Sequence, residues 1–354
     1  MAGETLQPRE HVALAPFCTL GVGGPARFFL DATDETTVSE ALAWARRRGL
    51  PFRVLGGGSN LVVADEGVDG LVVRMRLHGL QVAEHAGAVD VTAAAGEPWD
   101  DLVGRAVARG WAGLECLSGI PGLVGATPIQ NVGAYGQEVA ETIQRVRVLD
   151  TVTGRVSTLG PAECRFTYRD SLFKSGAPDR YVVLAVTYRL RPGAPPSVRY
   201  AEVAAHLERA GMASPGLADV REAVVAIRRA KSMVIEPDDP NGRSCGSFFT
   251  NPVVTPEHAE RVAALAGEPA MPRWPQPDGG VKLAAGWLIE RAGFRRGHRE
   301  GAVGLSTRHA LAIVAHDGAR AGEVLAFARK VQDAVEARFG VRLTREPVLW
   351  GAGA

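Results

Sequence analysis

Three side chains in this sequence stand where proton and charge chemistry is possible. Ser247 lies in RSCGSFFTNP, residues 243–252, between a glycine and two phenylalanines. A hydroxyl there is either a small polar residue opening a strand or a proton donor in a site that apolar rings keep dry. Arg169 lies in FTYRDSLFK, residues 166–174, among Phe166, Tyr168, Leu172 and Phe173. An arginine in that company either pairs with a nearby acid such as Asp170 or waits for an anion suited to its planar fork. Glu346 lies in the apolar run LTREPVLWG, residues 343–351, where an acid is costly unless partnered. A salt bridge at a domain seam would serve that need.

Two glycine loops suggest what such groups act beside. LGGGSN runs from Leu55 to Asn60. Gly56, Gly57 and Gly58 permit positive φ and bring several N–H groups to one anion, and Ser59 and Asn60 add donors. The same residues would also make a tight turn. SGIPGLVGATPIQNVGAYG, residues 118–136, holds five glycines and two prolines and no charge across 19 positions. A solvated linker would be more polar. Bare, uncharged backbone suits a large flat ligand and its phosphates. Neither loop fits G-x-x-x-x-G-K-[ST], and neither joins strand to helix as G-x-G-x-x-G, so P-loop and Rossmann readings fail. The pair points to a dinucleotide held by backbone amides.

The elements that must position these groups alternate between strand and helix, which predicts a mixed α and β architecture. TVSEALAWARRRG (37–49) has helical spacing and a glycine stop, followed by the strand FRVL (52–55). RVRVLDTVTGRVSTL (145–159) alternates and turns near Thr153-Gly154, a hairpin. YVVLAVTYRL (181–190) reads as a strand and DVREAVVAIRRAKSM (219–233) as a helix. Thr255 and Pro256 open a helix over 255–267, and further helices are expected over 282–293 and 320–340. HALAIVA (309–315) and the closing VRLTREPVLWG (341–351) read as strands.

Composition narrows the partners. With 46 % hydrophobic and 22 % charged residues the chain is of ordinary globular make-up. A net charge of +1 gives no concentrated basic face for nucleic acid. No apolar run reaches the length of a membrane span, and MAGETLQPREHVAL lacks a signal-peptide pattern. Cys18, Cys116, Cys164 and Cys245 are scattered without C-x-x-C spacing, so no metal site is expected. Few cysteines and no secretion signal place the expected compartment in the cytoplasm.

Five motifs in order make the chain resemble the UDP-N-acetylenolpyruvoylglucosamine reductase family, flavoenzymes of peptidoglycan synthesis. They are LGGGSNLVV, GLECLSGIPGLVGATPIQNVGAYGQEV, the YRDS-x-F-K run, GSFFTNPVV and the helix text at 283–297. The resemblance spans about Thr19 to Gly351. It implies non-covalent FAD as cofactor and NADPH as co-substrate. FAD would lie on Gly56, Gly57, Gly58, Ser59 and Asn60, and on Ser118, Gly119, Ile120, Pro121, Gly122, Gly125 and Ala126. It would continue along Gln130, Asn131, Gly133, Ala134, Tyr135 and Gly136. The catalytic residues would be Arg169, Ser247 and Glu346, with Tyr200, Lys231 and Asn251 holding a UDP-sugar substrate. Tyr200 marks the form with a tyrosine-bearing insertion. The chain departs from the family in reading Glu346-Pro347-Val348 rather than Glu-Val-Arg, and in carrying Thr344 where another acid is common. Lys231 is followed by an unusual SMVIEPDD.

The implied fold is α/β (α+β), a three-domain flavoprotein. Its FAD-binding part would have two pieces of the vanillyl-alcohol-oxidase/PCMH type, 1–78 with the closing strand 341–354, and 79–230. A substrate-binding domain would occupy 231–340. The implied reaction is NADPH-dependent, FAD-mediated reduction of UDP-N-acetylglucosamine enolpyruvate to UDP-N-acetylmuramate by a monomer. Two rivals remain at this stage. A flavin oxidase or dehydrogenase of the same fold group, acting on another small alcohol or sugar, could attach its flavin through Cys116 and stay yellow when denatured. A non-catalytic flavin- or nucleotide-binding module would show no turnover.

Overall fold

The computed structural model describes residues 6–351. The chain divides into two compact units. The first holds residues up to Val12, Ala26–Gly57 and Asp69–Val234, and the second holds Ala13–Pro25, Gly58–Val68 and Ile235 onward.

The first unit contains two sheets. One has four strands in the order Arg9–Ala13, Pro25–Ala32, Val68–Met75, Phe52–Leu55. Phe52–Leu55 runs parallel to its neighbour and leads directly into the first glycine loop. The other sheet has six strands, with Tyr181–Pro192 between Ile143–Asp150 and Ala88–Ala94, all pairs antiparallel. Tyr181–Pro192 is buried along most of its length, as its run of valines and leucines requires for a central strand. The hairpin Ile143–Asp150/Val156–Leu159 turns at 151–154, with Gly154 at φ +71°. Two helices, Ala201–Arg209 and Leu217–Ala230, bury Val203, Leu207, Val220, Val224 and Ile227 with Cys116 in a separate small core.

The second unit is organised by the helix Ala321–Phe339, whose buried Val324, Phe327, Ala328, Val331, Val335 and Phe339 recur at three- and four-residue intervals. The Asp65 carboxylate caps it by accepting from the Ala321 and Gly322 N–H groups at 2.9 and 3.0 Å. Thr255 caps the helix Pro256–Ala266 through its hydroxyl, and Gly267 ends it at φ +67°, a cap worth about 1 kcal/mol. Phe248 and Phe249 are fully buried in the core of this unit.

Several expected elements are shorter. The helix expected over 219–233 ends at Ala230, with Lys231 as its C-cap. The segment 282–293 divides into the strand Val281–Leu283, paired on both sides, and the helix Ala285–Arg291. The strand over 309–315 is limited to Ile313–Ala315, because Ala312 N–H turns back to the His309 carbonyl. The closing strand is only Val348–Trp350, parallel to Leu61–Val63. Pro347 has no N–H to give a ladder, so Glu346 precedes the strand instead of lying in it.

Candidate functional site

In the first unit the two glycine loops meet backbone against backbone. A Cβ on Gly57 would lie 2.8 Å from the Gly122 Cα, and Gly122 itself sits at φ +119°. Gly56 faces open space, with nothing within 4 Å of a built Cβ. Side chains are thus excluded where the loops touch, while a bare backbone surface stays open beside them. That is a cradle for an extended cofactor.

The second loop is laced to the scaffold at many points. Gly125 N–H donates to the Ala95 carbonyl at 2.9 Å, and a Cβ at Gly125 would meet the Ala95 Cβ at 2.6 Å. Trp99 N–H and its indole N–H reach the Gly122 and Leu117 carbonyls at 3.0 and 3.1 Å. Thr127 shares a 2.6 Å hydrogen bond with the buried Tyr188 hydroxyl on the central strand. Ser118 and Asn131 are buried with their side chains committed to protein groups. Ser118 donates to the Glu115 carbonyl, and Asn131 donates to Glu138 and the Thr167 carbonyl while accepting from Ala140 N–H. Asn131 and Tyr135 take left-handed φ of +46° and +48°. Replacing Gly122 or Gly57 with alanine is expected to lower FAD affinity by at least about tenfold, read as lost visible absorbance per mole of purified protein.

Asp100, on the helix Trp99–Ala108, holds the start of this loop. Its carboxylate accepts from Gly119 N–H at 2.6 Å and from the Arg221 guanidinium at 2.7 and 2.8 Å. Burial pushes this carboxyl up, but Arg221, the Gly119 N–H and the more distant Arg228 together outweigh it, so its pKa is lowered. A lowered folded pKa contributes stability that is present above the unfolded value, about 3.9, and lost as pH falls through the folded one. Asp100→Asn is therefore expected to flatten the decline of melting temperature below about pH 4.

The YRDS run is tied to the same loop by three bonds. The Arg169 guanidinium donates to the Gly133 carbonyl at 2.5 Å, the Ser171 hydroxyl to the Ile129 carbonyl at 2.6 Å, and Asn131 reaches Thr167 as above. Asp170 accepts from the Ser171 N–H and from the Ser175 hydroxyl. Arg169 sits at φ +56° in a tight turn closed by Thr167 and Asp170.

Tyr200 and Lys231 come together around Tyr135. The two tyrosine rings meet edge to face at 5.4 Å, and the Lys231 ammonium lies 5.8 Å from the Tyr135 ring centre while donating to Glu202 at 2.6 Å. Burial raises the pKa of both phenols, Tyr135 to about 12. Arg228, one turn before Lys231, donates to the Gly119 and Met233 carbonyls at 3.1 and 2.7 Å, and burial lowers its pKa.

In the second unit, Ser247, Asn251 and Glu346 belong to segments that hydrogen-bond to one another. Phe248 N–H donates to the Leu311 carbonyl at 2.8 Å, Glu346 N–H to the Phe248 carbonyl at 3.0 Å, and Thr250 N–H to the Thr344 carbonyl at 3.0 Å. Asn60 donates through its side chain to the Glu346 carbonyl and accepts from Val348 N–H, joining the end of the first glycine loop to this group. Gly58 takes φ +63°, and a Cβ there would lie 1.9 Å from the Phe17 carbonyl oxygen. Ser247 is half-buried in irregular chain, not in a strand, and its hydroxyl has no hydrogen-bond partner among the described residues. Both neighbouring rings are sunk in the core, so they anchor the segment instead of walling the hydroxyl. Asn251 caps the helix Ala285–Arg291 by accepting from Ala285 N–H at 3.0 Å.

Asp100, Arg221, Arg228, Glu115 and Glu202 went unread in the sequence. Only Glu115 carried a signal there, an acid between Leu114 and Cys116-Leu117. Cys116 is buried, its thiol donates to the Ser197 carbonyl, and burial pushes its pKa up to about 12. It is poorly placed for covalent attachment of a flavin.

Known proteins match the chain in two segments and over nearly its whole length. Residues 26–160 match the family described as FAD binding domain. Residues 237–350 match UDP-N-acetylenolpyruvoylglucosamine reductase, C-terminal domain. The chain is 49 % identical over 358 residues to the UDP-N-acetylenolpyruvoylglucosamine reductase of Nocardia farcinica, covering 99 % of this chain and 92 % of that protein. It is 44 % identical to the protein of the same name from Pseudomonas aeruginosa, covering 98 % and 100 %. Among solved structures it is similar to UDP-N-acetylenolpyruvylglucosamine reductase from Thermus caldophilus, with a TM-score of 0.65, 28 % identity and coverage of 98 % and 100 %.

Proposed function

The chain belongs to the UDP-N-acetylenolpyruvoylglucosamine reductase family, and from that premise we propose how its own residues carry out the family's reaction. The protein reduces UDP-N-acetylglucosamine enolpyruvate to UDP-N-acetylmuramate, a step of peptidoglycan precursor synthesis, with FAD as cofactor and NADPH as reductant. The observation that carries this reading is the side-chain-free contact of the two glycine loops at Gly57 and Gly122. Gly56 and Gly57 with Ser118 to Gly136 would hold FAD, joined by Gly58, Ser59 and Asn60. When bound, FAD supplies the hydride that C3 of the enolpyruvyl group receives, drawn from NADPH.

The remaining work falls to side chains. Hydride addition leaves enolate-like charge on the carboxyl end of the substrate. Arg169, fixed in its turn and on the Gly133 carbonyl, stabilises that charge as a cation that needs no reorganisation. Glu346 orients the substrate carboxyl. Ser247 then gives its proton to C2. A serine hydroxyl is a weak acid, so it serves only against a strongly basic carbanion within hydrogen-bonding reach, and its lack of a partner among the described residues leaves it available. Tyr200, Lys231 and Asn251 hold the UDP-sugar. Lys231 must exchange Glu202 for a substrate phosphate, a modest cost for a part-exposed ion pair.

The three-piece division, a monomeric state and a cytoplasmic location complete the proposal. The two separate sheets of the first unit support the first of these. Among the described residues no helix is long and apolar enough to cross a membrane. An anaerobic visible spectrum tests the whole reading: flavin absorbance should bleach with NADPH and return on adding UDP-N-acetylglucosamine enolpyruvate. Bleaching without return would discard the substrate, and a colourless protein that binds no added FAD would discard the flavoprotein.

A further inference from the structure

Glu115 is a carboxylate at 1 % exposure, and no cation pairs with it among the described residues. Its Oε1 accepts from the Gln137 side-chain amide and from Ser197 N–H, both at 2.8 Å, and its Oε2 accepts from Gly113 N–H at 2.7 Å. Its own carbonyl receives the Ser118 hydroxyl. A buried charge is expensive, and packing alone would be served by an apolar residue of the same size. Here an acceptor-only group meets three donors from three segments, which no neutral isostere can do.

Those segments bear on the site. Gln137 follows the second glycine loop and pairs with Ala134 in the small hairpin whose turn carries Tyr135. Its amide oxygen accepts from Cys116 N–H at 2.8 Å, closing a ring of bonds with Glu115. Ser197 lies three residues before Tyr200, whose ring rests on Tyr135. The segment is held through its backbone: Ser197 N–H reaches Glu115, the Ser197 carbonyl accepts the Cys116 thiol, and the buried Ser197 hydroxyl has no partner among the described residues. One carboxylate therefore fixes both the hairpin of Tyr135 and the approach to Tyr200.

We propose that Glu115 is a positioning residue for the reaction, holding Tyr200 in place for the sugar nucleotide through the Ser197 N–H and Gln137. This deepens the proposed function and rests on its assignment of Tyr200 to the substrate. In Glu115→Gln the amide must face either Gly113 N–H or the pair Ser197 N–H and Gln137, and in either orientation the negative charge that strengthens all three bonds is gone, so the clamp on the Ser197 segment weakens.

The test compares Glu115→Gln, Tyr200→Phe and the double variant, all FAD-loaded. Glu115→Gln is expected to raise KM for UDP-N-acetylglucosamine enolpyruvate about tenfold and to leave KM for NADPH within about twofold. The double variant should be no worse than the poorer single one, since both changes act on the same contact. Hydrogen exchange over 197–200 should quicken in Glu115→Gln while the six-stranded sheet is unchanged. Loss of kcat with both KM values intact, or independent effects in the double variant, would each overturn the proposal. Unchanged exchange over 197–200 would overturn it whether or not the protein turns over this substrate. A wild type without turnover would instead overturn the assignment of the site. Should Glu115→Gln fail to fold, Glu115→Asp, too short to reach Ser197 and Gly113 together, is expected to show the same KM rise, and an unchanged KM there also overturns the proposal.

Discussion

Ser247→Ala is expected to take up electrons from NADPH at the wild-type rate and to return them to the sugar nucleotide between about a hundredfold and ten-thousandfold more slowly. On the proposed mechanism the two half-reactions separate, because the hydroxyl acts only when C2 receives its proton. The fold gives little reason for any other effect. The hydroxyl has no protein partner among the described residues, so alanine leaves no buried donor or acceptor orphaned. Its neighbours hold the chain without it, through Phe248 N–H on Leu311, Glu346 N–H on Phe248, and two rings at 0 % and 1 % exposure. Stability should change by no more than about 0.5 kcal/mol, as for an ordinary surface substitution. Stopped-flow absorbance of the flavin in each direction measures both rates. Equal slowing of the two would make Ser247 a structural residue.

The features legible in the sequence are those whose physics is local. The Thr255 cap and Pro256 fix one helix start within the residues that form it, and the 320–340 periodicity finds its helix to within one residue at each end. Thr153-Gly154 announces its hairpin because a left-handed turn there calls for glycine. The glycine loops are legible for a related reason: absent side chains and absent charge are visible in a string of letters. Their contact is not, since Gly57 and Gly122 are brought together only by the packing of strands and helix around them.

What the sequence hid is held at long range. Asp100 finds Arg221 across 121 residues and Gly119 across 19, and no local pattern marks either bond. The cost of an acid among apolar neighbours falls lightly on Glu346, which lies outside the strand and is only half-buried. It applies with more force to Glu115, whose carboxylate is sealed from water and met by N–H groups from 22 and 82 residues away. Likewise the short closing strand follows from Pro347, a breaker that is plain in the sequence but outweighed there by the apolar residues after it.

Arg169→Gly is expected to cost about a hundredfold to a thousandfold in turnover while leaving stability within about 2 kcal/mol of the wild type. Arg169 occupies φ +56°, a conformation that costs a non-glycine residue about 1–2 kcal/mol. Glycine removes that strain. Against this stand the lost bond to the Gly133 carbonyl and the greater freedom of a glycine in the unfolded chain, together of similar size. The turn itself survives, because Thr167 and Asp170 close it through their backbones and Lys174 holds the residue-169 carbonyl at 3.0 Å. On the proposed mechanism the strained conformation of Arg169 is kept for its guanidinium. Arg169→Lys supplies the comparison: it keeps the charge and the strain but loses the fork, so it should recover only part of the turnover. Melting temperature and the flavin reoxidation rate, measured on the same samples, decide the matter. A turnover loss that merely follows the folded fraction would make Arg169 a brace for the second glycine loop and nothing more.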